Sequence, residues 1–146
     1  MENVNHDLLE KEYFHLQRVV EEFDSKSLTI KAWSVTLGVS IATSKAFTDN
    51  MMLLLVAAIG ALMFWFIEAY WKTFQYANYR RIGQIEDYFS GKREEIKTPQ
   101  IGTSWGESYS EGGIERLLRI FFWPHVVLPH GVMCIGFVCA YFILGD

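Results

Sequence analysis

The feature that most constrains this chain is the run MMLLLVAAIGALMFWFI at residues 51–67, which contains no charged side chain. Two further apolar segments flank this run, at residues 28–46 and 120–144. A bilayer core of about 30 Å requires roughly 20 apolar residues in a helix that rises about 1.5 Å per residue. Because backbone groups in lipid must bond within their own segment, each run is expected to be a helix. The sequence therefore predicts an all-α integral membrane protein with three transmembrane helices.

The segments outside these runs are expected to be mainly helical. Residues 1–27 are predicted to form a cytoplasmic amphipathic helix that ends at 24–27, because apolar residues recur there at spacings of four and three. Residues 28–71 are predicted to form a transmembrane hairpin, and 120–146 the third transmembrane helix. Residues 72–119 are predicted to extend the second span into the cytoplasm as a helix that ends at Ser90 and Gly91, followed by a loop at 98–113 that is rich in Gly, Ser and Thr. The stripe of the first helix consists of Leu9, Tyr13, Leu16, Val20 and Phe23.

The distribution of basic residues predicts the orientation of the spans. Residues 72–119 contain most of the chain's 13 Lys and Arg residues, and Gly145 and Asp146 at the C-terminus add none. Because Lys and Arg accumulate on the cytoplasmic side, the N-terminus is expected in the cytoplasm and the C-terminus outside. The predicted location is a multi-pass protein of the cell inner membrane. Tryptophans 33, 65, 71 and 123 lie near the inner ends of the spans, as in an interfacial aromatic belt.

The first span is unusual because small or polar residues follow two opposite faces of one helix. Small and hydroxylated residues allow close helix packing, which explains one such face. The second face indicates either contact with copies of the chain or a water-filled lumen. The predicted pore-lining or interhelical residues are Lys31, Ser34, Thr36, Gly38, Ser40, Thr43 and Lys45.

The third span contains a repeated Pro-His pair, at residues 124–125 and 129–130. Pro129 is expected to bend the helix, whereas Pro124 fits the first position of a helix. Ionisable residues within a membrane are costly and mark functional candidates, so Glu68, His125 and His130 are predicted to be gating or interhelical residues. A histidine that bonds a neighbouring helix, a proton-sensing gate and a metal or haem ligand all remain open here. No metal site and no cofactor is assigned.

The predicted cytoplasmic extension alternates basic residues with aromatic residues, a mixture that suits nucleotides or short single-stranded nucleic acid. The candidate ligand-binding residues are Tyr76, Tyr79, Arg80, Arg81, Lys92 and Arg93. An ordinary juxtamembrane helix that binds anionic lipid headgroups is the alternative explanation. Since the chain has no P-loop, nucleophile elbow or zinc-protease motif, an enzyme is not expected.

The order of a short amphipathic helix, a tight hairpin of spans and the extended inner helix FWFIEAYWKTFQYANYRRIGQIEDYF resembles small transmembrane effectors of bacterial antiphage signalling. The similar groups are the two-span SLATT-type proteins and the HalB-type ion channels of the Hailong system. The likeness covers residues 1–97, and the third span is additional to the two-span plan. The resemblance implies a homo-oligomeric channel, taken as a tetramer, whose toxicity is held or released by a nucleotide-type signal. The alternatives are a non-conducting membrane scaffold that docks a cytoplasmic partner, and an intramembrane metal or haem protein.

Overall fold

The computed structural model describes residues 2–48 and 50–145, with side chains from residue 6 to residue 144 apart from residue 49. The described part of the chain forms five helices and confirms the all-α prediction. They are α1 (Glu2–Thr48), α2 (Met52–Phe89), α3 (Ile101–Phe121), α4 (Pro124–Val127) and α5 (His130–Gly145). Helices α1, α3 and α5 each pack against α2, which is therefore the central helix of the bundle.

The helix break predicted at residues 24–27 is wrong, because α1 continues through it for 47 residues. Polar residues such as Asp24 and Ser27 end helices when their side chains bond the local backbone. Here both side chains bond α2 instead: Asp24 accepts a hydrogen bond from Lys72, and Ser27 donates one to Glu68. The predicted amphipathic helix and the first predicted span are thus one continuous helix.

Helix α2 is a single helix of 38 residues, which confirms that the second apolar segment continues into the polar part of the chain. It ends at Phe89, after which the backbone N–H of Ser90 bonds the carbonyl oxygen of Glu86 and that of Gly91 bonds the carbonyl oxygen of Tyr88. Gly91 follows with φ of 73°, in the left-handed region that favours glycine after a helix. The predicted end of this helix is confirmed.

The loop predicted at residues 98–113 is wrong from residue 101 onward, where α3 begins. The aromatic rings of α3 pack on α2: Tyr109 stacks on Trp105 with ring centroids 5.1 Å apart, and on Phe74 at 5.4 Å. Ser104 and Ser108 are buried on this same side of α3. Tertiary packing therefore overrides the weak helix propensity of the Gly and Ser residues. The flexibility of glycine is used at Gly113, where a φ of 49° kinks α3.

The third predicted span is not one helix, because the chain leaves the helical conformation on both sides of α4. Pro124 lies at the start of α4, as expected for a proline that has no backbone N–H to donate. Pro129 separates α4 from α5, so its effect is a break rather than a bend. The apolar helix that remains, α5, has 16 residues.

Of the described helices, α2 is long and apolar enough to cross a membrane, and α5 is apolar but shorter. By composition, α1 is less apolar than α2, because residues 28–46 include Lys31, Lys45 and several Ser and Thr residues. Length and composition thus identify one candidate membrane span in the described chain.

The bundle has a polar end and an apolar end. At the polar end, α1 packs on α2 through Leu9, Leu16, Val20, Ile82 and Ile85, all of which are buried. Four residues of the predicted amphipathic stripe thereby contact the core, since Tyr13 packs against the same cluster. At the apolar end, residues 28–47 of α1 lie with the first half of α2 and with α5.

Candidate functional site: a buried polar cluster and an arginine-lined cavity

A cluster of polar side chains joins α1, α2 and α5 where the polar end of the bundle meets the apolar end. We call it the interhelical cluster, and its members are Ser27, Lys31, Ser34, Glu68 and His130. One carboxylate oxygen of Glu68 accepts a hydrogen bond from Ser27 at 2.6 Å and lies 3.0 Å from Lys31 Nζ. The other oxygen lies 2.8 Å from His130 Nε2. His130 Nδ1 lies 2.8 Å from Ser34 Oγ, which completes the link back to α1.

Both ring nitrogens of His130 have a chemically suitable partner. An ionised Glu68 only accepts hydrogen bonds, so Nε2 of His130 donates to it. Nδ1 lies against the hydroxyl of Ser34, which can either donate or accept. The buried imidazole is therefore fully bonded.

Burial makes the cluster sensitive to the removal of any charged member. The side chains of Glu68 and His130 are completely buried, whereas that of Lys31 remains 21% exposed. A buried charge that loses its partner is costly, because no water replaces the lost interaction. Serine, histidine and glutamate also form nucleophilic triads in hydrolases, but Ser34 is only 1% exposed and has no path to a substrate. The arrangement suits helix pairing.

Sequence reasoning did not include Ser27 among the site residues. Ser27 lies four residues before Lys31 and seven before Ser34, so all three project from one face of a continuous helix. The expectation of a helix break at residues 24–27 hid this spacing. Because α1 is one continuous helix, its polar stripe extends by one turn towards the N-terminus and includes Ser27.

The structure divides the predicted pore-lining residues between two faces of α1. Ser34 and Gly38 are buried against the bundle, and Lys31 and Lys45 are partly buried on the same side. A Cβ atom added at Gly38 would meet the side chains of Met133 and Phe137 of α5. Close packing between helices therefore explains this face.

The other predicted pore-lining residues, Thr36, Ser40 and Thr43, are exposed on the opposite face of α1. Thr43 Oγ1 donates to the carbonyl oxygen of Val39 at 2.7 Å, and Ser44 donates to that of Ser40 at 2.9 Å. A hydroxyl that donates to a carbonyl oxygen of the preceding helical turn no longer needs water as an acceptor for its hydrogen bond. We call Thr36, Ser40 and Thr43 the hydroxyl stripe.

The two histidines of the Pro-His repeat lie in different surroundings. His130 is the first residue of α5 and belongs to the interhelical cluster. His125 is exposed on α4, with its ring 5.2 Å from that of Trp123. The structure therefore brings Glu68 and His130 together and leaves His125 outside their hydrogen bonds.

A second buried polar group holds α1 to α2 at the polar end. Arg81 donates two hydrogen bonds to the carboxylate of Glu12, at 2.7 and 3.0 Å, and a third to the carbonyl oxygen of Lys97. Thr98 Oγ1 donates to Glu12 at 2.6 Å, and the backbone N–H of Gln100 also bonds it. Burial by itself would raise the pKa of Glu12, but the hydrogen bonds from Arg81 and Thr98 outweigh it and lower this pKa below its ordinary value.

Glu12 is not among the site residues predicted from the sequence. It lies three residues after Leu9 and four before Leu16, the spacing of the apolar stripe itself. A glutamate at such a position faces the core and requires a partner, which is the signal that could have identified it. Because Arg81 already donates two hydrogen bonds to Glu12, only part of its guanidinium could bind a ligand.

A cavity of about 600 Å³ opens beside this group, between the end of α2 and residues 93–100. Arg80, Arg81 and Arg93 all line it, although adjacent residues on a helix point about 100° apart. Arg80 pairs with Glu111 at 2.7 Å on one side of the cavity. We call this space the arginine-lined cavity. Its lining residues are Arg80, Arg81, Gln84, Tyr88, Arg93, Glu94, Glu95, Ile96, Lys97, Gln100 and Glu107.

The remaining predicted ligand-binding residues do not line this cavity. Tyr76 faces a separate groove, where the guanidinium of Arg116 lies 4.9 Å from its ring centroid. Tyr79 is exposed and packs edge-on against Tyr76, and Lys92 is exposed with Asp87 at 3.9 Å. The structure thus groups three of the six predicted residues.

No protein-family model, curated protein or solved structure matches this chain. The resemblance to antiphage effectors therefore stays a prediction. Within the described residues, no three His, Cys, Asp or Glu side chains are grouped in a way that could hold a metal ion.

Proposed function

We propose that this chain is a multi-pass membrane protein that assembles into a homo-oligomer and conducts ions. In this proposal α1, α2 and α5 cross the membrane, with the N-terminus and residues 72–119 in the cytoplasm and the C-terminus outside. The arginine-lined cavity then faces the cytoplasm, where it binds an anionic ligand that controls conduction.

The apolar surface of the bundle supports the membrane part of the proposal. Large apolar side chains are exposed on all three helices of the apolar end, and we call this surface the apolar belt. A soluble monomer rarely exposes a contiguous apolar surface of this kind, because the hydrophobic effect favours its burial. The belt includes Leu28, Val35, Leu37, Val39, Phe47, Met52, Val56, Ile59, Leu62, Met63, Phe66, Ile67, Val132, Ile135, Phe142, Ile143 and Leu144.

The observation that carries the conduction part is the position of the hydroxyl stripe. Thr36, Ser40 and Thr43 lie within the apolar belt, on the face of α1 opposite Ser34 and Gly38. The bundle of one chain uses the latter face for packing and leaves the hydroxyl stripe uncovered. Copies of α1 arranged around an axis would enclose these hydroxyls in a polar lumen, which is the environment that ion pores provide.

A non-conducting membrane subunit is the second candidate function. It is favoured by the hydrogen bond from Thr43 to the carbonyl oxygen of Val39, because a threonine satisfied in this way can face lipid or a neighbouring helix. In that case the hydroxyl stripe would mediate contact with another protein and would not face water.

The two candidates are separated by recording currents from the purified protein in planar bilayers, together with its oligomeric state by native mass spectrometry. Conduction predicts a closed homo-oligomer and a current that decreases in Thr36→Val, Ser40→Ala and Thr43→Val, while assembly persists. Val35→Ala and Leu37→Ala, on the flanking lipid-facing sides of α1, are the matched controls and should retain the wild-type current. An oligomer without current would favour the non-conducting subunit, and a monomer without current would contradict both.

The predicted role in antiviral defence, as an effector whose toxicity depends on a nucleotide-type signal, follows from the resemblance alone. It is supported indirectly by the arginine-lined cavity, since arginine is the side chain best suited to phosphate. Expression in cells tests it: the wild-type chain should arrest growth when the signal is present, and the three hydroxyl-stripe variants should arrest growth less.

A further inference from the structure

The second half of α3 has an apolar outer face that its own bundle does not use. After the kink at Gly113, the side chains of Ile114, Leu118 and Phe122 recur every four residues and are 76%, 55% and 68% exposed. Ile114 and Leu118 therefore lie along one face of α3, and Phe122 directly follows the last residue of that helix. Beside them, Glu115 and Arg119 form an exposed ion pair at 2.9 Å. The outer surface of residues 114–122 is therefore amphipathic.

The inner face of the same segment already provides its packing. The ring of Phe121 stacks on that of Trp65 with centroids 4.3 Å apart, and its carbonyl oxygen accepts a hydrogen bond from the indole N–H at 2.9 Å. Ile120 is buried against Ala69 and Val126. Because these contacts hold the segment on α2, the core of the chain does not explain the apolar character of the outer face.

The segment lies where the apolar belt ends. Phe121 shares an apolar groove of about 410 Å³ with Leu62, Met63, Phe66 and Ile67, which belong to the belt. Trp65 and Trp123 pack in the same cluster. Tryptophan side chains prefer the boundary between lipid and water. The outer apolar face thus continues the belt towards its polar border.

We propose that residues 114–122 are an interfacial anchor that inserts Ile114, Leu118 and Phe122 between the acyl chains and headgroups of the membrane. The charged pair Glu115 and Arg119 then remains among the headgroups, as in amphipathic helices that lie on membranes. A lipid surface is favoured over a second copy of the chain, because three side chains are far fewer than the roughly 20 residues a side of a stable protein interface. The inference rests on the proposed membrane embedding and extends it to a segment outside the three crossings.

The test is a set of single-cysteine variants carrying a nitroxide label, reconstituted in vesicles of phosphatidylethanolamine and phosphatidylglycerol, in a background with Cys134→Ala and Cys139→Ala. Leu118→Cys and Phe122→Cys report the outer apolar face, and Glu115→Cys reports the charged side. Thr103→Cys, exposed on α3 before the kink, is the matched water-facing control, and Ile59→Cys on α2 is the membrane reference. Collision of each label with dissolved oxygen and with a water-soluble nickel complex is measured by electron paramagnetic resonance.

The anchor predicts that the ratio of oxygen to nickel collisions at residues 118 and 122 is several-fold higher than at residues 103 and 115. If residue 59 is lipid-exposed while 118 and 122 match residue 103, the anchor is overturned and the membrane embedding stands. Low collision with both reagents at 118 and 122 would indicate a contact with another copy, which also overturns the anchor. If residue 59 itself collides mainly with nickel, the proposed membrane embedding fails.

Discussion

Nε2 of His130 lies 2.8 Å from a carboxylate oxygen of Glu68, and both side chains are completely buried. This contact links the first residue of α5 to the middle of α2. Ser34 bonds the other ring nitrogen of His130, so one imidazole joins three helices. Replacement of His130 would therefore remove contacts of α5 with both α1 and α2.

Removal of Glu68 is expected to destabilise the fold strongly. Glu68→Leu leaves Lys31 and His130 without their acceptor, and breaking a buried pair in this way costs about 3 kcal/mol or more. Glu68→Gln keeps one acceptor oxygen and should cost less. Denaturant unfolding in detergent micelles, followed by tryptophan fluorescence, measures both variants.

The matched control is Glu10→Leu, because Glu10 is exposed on α1 and should change stability by no more than about 0.5 kcal/mol. Equal stability of Glu68→Leu and the wild type would show that the interhelical cluster does not hold the bundle together.

Loss of the hydrogen bonds of His130 is expected to weaken the attachment of α5 to the bundle. His130→Gln can still donate a hydrogen bond to Glu68, whereas His130→Leu can bond neither Glu68 nor Ser34. His130→Leu should therefore lower the free energy of unfolding more than His130→Gln does, because it leaves the buried Glu68 without one of its donors. Denaturant unfolding in detergent micelles measures both variants.

His125→Leu is the matched control, since His125 is exposed and lies outside the hydrogen bonds of the cluster. It should change stability by no more than about 0.5 kcal/mol. Equal stability of His130→Leu and the wild type would show that His130 does not hold α5 to the bundle.

Local sequence patterns correctly predicted the buried face of α1 and the end of α2. The spacing of Leu9, Leu16 and Val20 gave the buried stripe of α1, and Ser90 with Gly91 gave the end of α2. The helix break at residues 24–27 and the continuation of the loop beyond residue 100 were wrong, because distant contacts override local preference. Ser27 is 41 residues from Glu68, and Trp105 lies 31 residues from the carbonyl oxygen it bonds on Phe74.

The sequence predicted individual site residues but not which of them contact each other. Glu68, His130 and Ser34 were each selected, but nothing local indicates that they meet, because 62 residues separate Glu68 from His130. Arg81 was selected for a ligand, whereas the pairing that occupies it joins residues 69 positions apart. Pairings of this kind are set by the packing of α1 on α2.

Acid is expected to weaken the polar end of the bundle through Glu12. Its pKa is lowered in the folded state, so the stability it contributes is present above the ordinary value near 4.5 and is lost as the pH falls below that value. Glu12→Gln should therefore be less stable than the wild type at pH 7 and lose less stability between pH 5 and 3. The measurement is denaturant unfolding across this pH range.

Glu22→Gln changes an exposed glutamate on the same helix and should follow the wild-type pH profile. An unchanged acid profile in Glu12→Gln would contradict the role assigned to the pairing of Glu12 with Arg81.

Binding of an anionic ligand is expected to depend on Arg93 more than on Lys92. Arg93 lines the arginine-lined cavity, whereas the adjacent Lys92 lies outside it and is the matched control. Arg93→Ala should weaken binding of cyclic mononucleotides or short oligonucleotides by about tenfold, as loss of one charged hydrogen bond does. Isothermal titration at several salt concentrations should show weaker binding at high salt, because phosphates release counterions.

Arg81 is not a suitable probe of the ligand, since its replacement would also break the pairing with Glu12. Equal affinity in the Arg93 and Lys92 variants, or no binding of these probes at low salt, would contradict a ligand site in this cavity.

If α1, α2 and α5 all cross the membrane as proposed, residue 97 lies in the cytoplasm and residue 146 lies outside, and a topology reporter measures this. A reporter that is active only outside the cytoplasm is fused after Asp146 or after Lys97, on either side of the third crossing. The reporter is expected to be active after Asp146 and inactive after Lys97, in cells where both fusions are present in equal amounts. Activity after Lys97 without activity after Asp146, or the same result at both positions, would contradict the three crossings and their orientation.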